Sequence, residues 1–264
     1  MERVLQIVGG GRMGEALLGG LIAGGRAPES LAVVEVAPAR REQLAGEYPG
    51  VRLSDAPVEA PDALLAVKPG DVPSAAGAVA AAGAERVLSV AAGVTTGAIE
   101  AAAGGGVRVI RAMPNTPALI GAGASAIAPG SGASDEDLAW AEQVLGAVGV
   151  VVRVPEGQLD AVTGLSGSGP AYVCLVAEAL AEAGVLNGLP RATAETLAFE
   201  TLAGAARLLA EGDSSPADLK AAVTSPGGTT AAGLAELERH GARAAFLDAV
   251  TAATRRSREL GKPT

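Results

Sequence analysis

The apolar positions of this chain change rhythm once. Up to residue 154, short apolar runs recur at Arg3–Val8, Leu31–Val36, Asp62–Val67, Arg86–Val90, Val107–Ala112 and Val151–Val154. Helical patterns lie between them, among them Glu15–Ala23, Pro38–Glu47 and Thr95–Ala103. Strand runs alternating with helical stretches predict an open parallel sheet wrapped by helices. From Gln158 the spacing is helical almost to the end. Leu197, Leu202, Ala205, Leu208 and Leu209 recur at helical intervals within Arg191–Glu211, and Ala242–Leu260 closes the chain as an amphipathic helix. The expected organisation is an α/β domain over residues 1–155 and an all-helical domain over 156–264. So many apolar stripes on roughly a hundred helical residues call for a second subunit to cover them.

Composition narrows the class. With 49% hydrophobic and 19% charged residues, a packed core is expected rather than disorder. Only 2% of residues are aromatic, so the core must be built from Ala, Val and Leu. The net charge is −9 and no basic run exceeds two residues, which argues against a nucleic-acid partner. The single histidine, His240, reads as a helix C-cap before Gly241, and one histidine builds neither a Ser-His-Asp triad nor a histidine metal cluster. No metal is expected. Cys174, within an apolar helical run, is expected to be a buried structural thiol. The uncharged stretch Asn115–Ser134 is broken by prolines and glycines and is not expected to span a membrane. With no charged leader before the first strand, a cytoplasmic location is expected.

Candidate chemistry gathers at the ends of the strands. The first runs into Gly9-Gly10-Gly11-Arg12-Met13-Gly14, and strand, Gly-x-Gly-x-x-Gly and helix in that order form a dinucleotide fingerprint. Gly9 permits the tight turn, Gly11 lets a pyrophosphate approach the backbone, and Gly14 lets helix and strand pack closely. Glu35 ends the second strand, where a carboxylate meets the adenosine ribose in NAD-binding folds, yet Arg40 and Arg41 follow and suit a 2′-phosphate. The sequence leaves NAD and NADP both open, and a surface acid with two solvated arginines is the plainer alternative. Three further strand ends carry Ala66-Val67-Lys68-Pro69, Ala91-Ala92-Gly93-Val94 and Arg111-Ala112-Met113-Pro114-Asn115-Thr116-Pro117. Ligands of open α/β sheets bind beyond such ends.

Two segments of the helical part stand out. Leu165-Ser166-Gly167-Ser168-Gly169-Pro170-Ala171-Tyr172 places glycines inside a helical pattern, for tight helix packing or for a ligand. In Pro216–Glu238, Ser215, Pro216 and Asp218 read as an N-cap, a first-position proline and a capping-box acid. Pro226 should stop that helix at Ser225. Gly227 and Gly228 open the backbone, and Thr229 or Thr230 can cap the next helix, whose free N–H groups suit an anion. A connection that merely needs glycine to turn is the plainer reading.

The segment PADLKAAVTSPGGTTAAGLAELE closely resembles the signature of the pyrroline-5-carboxylate reductases, and the three strand-end motifs and SGSGPAY resemble segments of the same family. The resemblance covers nearly the whole chain. It departs at Ala221, where the family often has an acid, and at Arg12, where it usually has Asn or Gln. It implies a Rossmann-type NAD(P)-binding domain and a C-terminal helical domain that forms an interleaved homodimer, sometimes within larger rings, and supplies half the active site. The implied reaction is reduction of 1-pyrroline-5-carboxylate to L-proline. The cofactor would be held by Gly9, Gly11, Arg12, Met13, Gly14, Glu35, Val67, Lys68, Pro69 and Ala92. Substrate would be held by Asn115, Val223, Ser225, Gly228, Thr229 and Thr230, with Thr230 hydrogen-bonding the ring nitrogen and Thr229 capping the helix. Two other readings fit the outline: a related 3-hydroxyacid dehydrogenase, with Lys220 standing in for its helical lysine, or a non-catalytic dinucleotide-binding regulator.

Overall fold

The computed structural model describes residues 3–261. The first part runs β1 (Leu5–Val8), α1 (Arg12–Ala23), β2 (Leu31–Val34), α2 (Pro38–Glu47), β3 (Arg52–Ser54) and β4 (Asp62–Leu65). It continues with α3 (Val72–Ala81), β5 (Arg86–Ser89), α4 (Thr96–Ala102), β6 (Arg108–Met113), β7 (Gly123–Pro129), α5 (Asp135–Gly146) and β8 (Gly149–Arg153). The strands form one sheet in the order β3-β2-β1-β4-β5-β6-β7-β8.

β1 to β6 pair in parallel. The expected open parallel sheet is thus present, and two further strands extend it: β7 runs antiparallel to β6 and β8 parallel to β7. Continuous apolar runs form these strands because both faces of the sheet are covered. Leu5, Ile7, Leu64, Leu88 and Ile110 pack with α1 and α5, through Leu17, Leu18, Ala141 and Val144. Val8, Ala63, Leu65, Val87 and Val109 pack on the other side, with Val72, Ala76 and Val79 of α3 and Ile99 of α4.

The amino ends of the strands are tied by charge. Arg86 donates to both carboxylate oxygens of Asp62 (2.7 and 3.1 Å) and lies 4.2 Å above the Trp140 ring. Asp137, in the capping box of α5, accepts from Arg108 at 3.0 Å. Burial alone would raise the Asp137 carboxyl, but hydrogen bonds from the Ser134 backbone and hydroxyl and from Arg108 hold it below the ordinary aspartate value. These ion pairs tie the amino ends of β4, β5 and β6 to one another and to the start of α5.

The chain divides into two compact units, one of residues up to Ser168 with the return from Thr251, the other Gly169–Val250. The first unit also contains α6 (Leu159–Val162) and a π-turn at Thr163–Gly167. The second contains α7 (Gly169–Leu186), α8 (Arg191–Glu211), α9 (Pro216–Ala222) and α10 (Thr229–Arg239). α11 (Ala242–Leu260) begins in the second unit and ends in the first. His240 occupies the C-cap of α10, as its place before Gly241 suggests.

Few side chains of the second unit are buried within the chain, and Val173, Leu175, Phe199, Leu208 and Leu209 are exposed. Cys174 corrects its expectation: it is exposed, in a groove with Val173, Ala177, Phe199 and Leu202. The groove lies between α7 and α8, and among the described residues its apolar side chains Val173, Phe199 and Leu209 stay exposed.

Candidate active site

The fingerprint folds into a turn followed by an uncapped helix start. Gly9 adopts φ +105°, and its N–H donates to the Val34 carbonyl at 2.8 Å. A Cβ there would stand 2.6 Å from the Ala66 carbonyl oxygen. A Cβ on Gly14 would stand 2.0 Å from the Gly9 carbonyl oxygen, so α1 can lie this close to the turn only with glycine. Gly11 is the N-cap of α1 and carries no side-chain cap. Nothing lies within 4 Å of where its Cβ would be, so the backbone there is open to an approaching group. α1 starts at Arg12, earlier than the Glu15 expected, which puts Arg12, Met13 and Gly14 in its first turn with N–H groups available to an anion. These residues fit a dinucleotide pyrophosphate.

Glu35 lies just past β2, and its carboxylate is held in place. It accepts from the backbone N–H of Gly10 and of Ala37, each at 2.9 Å. Arg40 spans the fingerprint, donating Nε–H to the Gly10 carbonyl at 2.7 Å and pairing with Glu15. Arg41 donates to the carbonyls of Glu35 and Val36 at 2.6 and 3.0 Å. The structure therefore brings Glu35, Arg40 and Arg41 together beside the glycine turn. Arg12 is exposed at the start of α1.

The sheet continues past its strand ends in step, with Ala66 N–H donating to Val8 at 2.8 Å and Val90 N–H to Leu65 at 3.1 Å. This sets the β4 and β5 ends beside the fingerprint. Val67 Cγ1 lies 3.2 Å from the Gly9 Cβ position, Lys68 is exposed and precedes a short 3-10 turn starting at Pro69, and Ala92 is exposed just past β5.

Asn115 follows β6 and is committed within the protein. Its Oδ1 accepts from Ala124 N–H at 2.8 Å, and its Nδ2 donates to the Ser166 carbonyl at 3.1 Å. The amide therefore ties the β6 end to β7 and to the π-turn. A Cβ on Gly167 would stand 2.7 Å from the Met113 methyl, so the π-turn lies close against the end of β6 at that glycine. Sequence reasoning about Asn115 missed this brace because its partners are main-chain groups nine and fifty-one positions away.

In the second unit, Ser215 and Asp218 form the expected capping box, with Pro216 in the first turn. α9 ends at Ala222 rather than running to Ser225, with Val223 as its exposed C-cap. The cap assigned to Thr229 is also corrected. Gly228 is the N-cap of α10, without a side-chain cap, and Thr229 and Thr230 lie in its first turn. Gly228 N–H donates to the Ser225 carbonyl at 3.0 Å, which closes the hinge early and moves the helix start back by one residue. Ser225 and Thr229 are exposed, and Thr230 is half-buried. The threonine hydroxyls are thus not spent on capping.

A Rossmann sheet with an open fingerprint, followed by a helical segment whose apolar faces are uncovered, defines a dinucleotide-dependent oxidoreductase that self-associates. Comparison with known proteins specifies it. The family model "Pyrroline-5-carboxylate reductase dimerisation" matches residues 156–260, and "NADP oxidoreductase coenzyme F420-dependent" matches residues 4–93. The pyrroline-5-carboxylate reductase of Synechocystis is 51% identical, over 99% of this chain and all of that protein. That of Thermus thermophilus is 44% identical over 98% of each. The solved reductase of Coxiella burnetii superposes with a TM-score of 0.94 at 36% identity, over 99% of both chains. The Plasmodium falciparum enzyme, solved with NADP bound, gives 0.84 at 27% identity, again over 99% of both. The chain belongs to the pyrroline-5-carboxylate reductase family. This sets aside the 3-hydroxyacid dehydrogenase and the silent regulator. The run Glu156–Leu186 is long and apolar enough to cross a membrane, but it is the core helix of the matched dimerisation segment.

Proposed function

We propose that this reductase uses NADPH, and NADH as well, to convert 1-pyrroline-5-carboxylate to L-proline in the cytoplasm, as a homodimer formed through its C-terminal helices. Residues 1–155 carry the cofactor, and residues 156–264 carry substrate recognition and dimerisation. The observation that carries the reading is the pair of uncapped helix starts, at Gly11 for a pyrophosphate and at Gly228 for a carboxylate.

The cofactor supplies a hydride to the imine carbon. Gly9, Gly11, Arg12, Met13 and Gly14 bind its pyrophosphate, Glu35 meets the adenosine ribose, and Val67, Lys68, Pro69 and Ala92 line the way to the nicotinamide. Val223, Ser225, Gly228 and Thr229 shape the hinge that takes the substrate carboxylate, and the Thr230 hydroxyl hydrogen-bonds the ring nitrogen. Reduction of the iminium form leaves its proton on that nitrogen as the amine of proline. The protein's task is thus orientation and charge placement more than acid catalysis. Asn115 serves this site by holding the β6 end in place.

The test is the rate of Thr230→Ala alongside its cofactor affinity. An unchanged dissociation constant for NADPH with reduced turnover supports the assignment, and parent-like turnover removes it.

A further inference from the structure

We infer that Glu156 is a positioning residue for hydride transfer, because it clamps the loop after β5 together with β6, and that Gly261 clamps the same loop from the other end of the helical segment. The inference rests on the proposed reading that the nicotinamide half of the cofactor lies over the β4–β6 ends. With Glu35 on the β2 side and the pyrophosphate at α1, the strand order leaves the β4–β6 side for that half.

The loop is Val90-Ala91-Ala92-Gly93-Val94-Thr95, between β5 and α4. At its start, Ala91 N–H donates to Ser89 Oγ at 3.4 Å. At its end, the Glu156 carboxylate takes two bonds from one residue, Thr96 N–H at 2.7 Å and Thr96 Oγ1–H at 2.8 Å. The same carboxylate pairs with the Arg111 guanidinium at 3.4 Å. Arg111 is a buried β6 residue, two positions before Met113 at the strand's end, and its side chain is 7% exposed. A carboxylate bonded to both an adjacent helix start and a buried cation fixes two neighbouring strand ends relative to each other.

The second clamp sits over the middle of the loop. Gly93 adopts φ +78°, and Gly261, just past the end of α11, lies against it. A Cβ on Gly261 would stand 3.1 Å from the Gly93 carbonyl oxygen, a tight approach at which a larger residue makes the loop or the helix end give by a few tenths of an ångström. The last turns of α11 are fixed nearby by Ser257, buried, whose hydroxyl donates to Asp160 at 2.6 Å. Glu156 is the first residue matched by the dimerisation family model, and Gly261 directly follows the last. Both ends of that segment therefore bear on one cofactor-facing loop.

The test compares Glu156→Gln and Gly261→Val with the parent full-length protein. For each we would measure the NADPH dissociation constant, kcat, and the isotope effect on kcat with NADPH deuterated at the transferred position. Glutamine keeps an acceptor for Thr96 but leaves Arg111 without its countercharge, and valine leaves the Glu156 clamp untouched. The expected result for both variants is a kcat roughly tenfold lower, equivalent to about 1.4 kcal/mol in the barrier, with NADPH affinity within twofold and a larger isotope effect. An unchanged kcat in either variant overturns that residue's role. A kcat loss that comes with an equal loss of NADPH affinity and no rise in the isotope effect also overturns it, as mere structural damage. If the nicotinamide reading itself is wrong, neither variant alters the isotope effect while the parent still turns over.

Discussion

Thr230 and Glu35 carry the most specific assignments, and each rests on where the surrounding main chain leaves a side chain. Because Gly228 is the N-cap, neither threonine hydroxyl of α10 is taken by the helix start. Thr230 is then free to meet the ring nitrogen, and losing one hydrogen bond to a charged group costs about 1.5–3 kcal/mol. Thr230→Ala should lower kcat/KM by roughly tenfold to a hundredfold while circular dichroism and NADPH binding stay as in the parent. Glu35 accepts two backbone N–H bonds, so its carboxylate stays at the end of β2, where it would repel a 2′-phosphate brought against it. Arg40 and Arg41 are engaged with main-chain carbonyls beside it. Glu35→Ser should raise the ratio of kcat/KM for NADPH over NADH. An unchanged ratio would show that Glu35 does not read the ribose. At the far end of the sheet, Asp137 sets an acid limit. Its folded value is depressed, so its contribution to stability is complete above the unfolded aspartate value of about 3.9 and is lost as pH falls through the lower folded value. Melting temperatures of the parent should therefore fall below about pH 4, and more steeply than those of Asp137→Asn.

At the scale of elements, what the chain declares in advance and what it hides differ by mechanism. β1, β2, β4, β5 and β6 are legible because strands covered on both faces must be continuously apolar. β7 is not, since Gly123-Ala124-Ser125-Ala126 carries little strand preference and its place comes from pairing with β6 and β8. β3 has three residues and, among the described residues, pairs only with β2. The fingerprint, the Ser215 capping box and the hinge are legible because local chemistry decides them. The Asn115 and Glu156 braces are not, because each joins positions far apart in sequence. The N-terminus of α1 supplies an element-scale prediction. Gly14→Ala would place a methyl 2.0 Å from the Gly9 carbonyl oxygen, displacing α1 from the turn. It should weaken NADPH binding and lower the melting temperature together, measured by titration and thermal unfolding. Retained affinity would mean that the turn does not hold the pyrophosphate.

At the scale of the whole molecule, a reductase and a dimerisation segment share one chain. The helical segment exposes Val173, Leu175, Phe199, Leu208 and Leu209, and a face of that kind is stable in water when another surface covers it. Sedimentation at micromolar protein should show a dimer or a multiple of it, with Cys174 slow to react with a thiol reagent. A monomer would contradict that part. The activity is tested more directly by turnover. Purified full-length protein given pyrroline-5-carboxylate and NADPH should form L-proline in a one-to-one ratio with the NADPH oxidised, and NADH should also serve as donor. Tight cofactor binding with no proline formed would contradict the account at its centre.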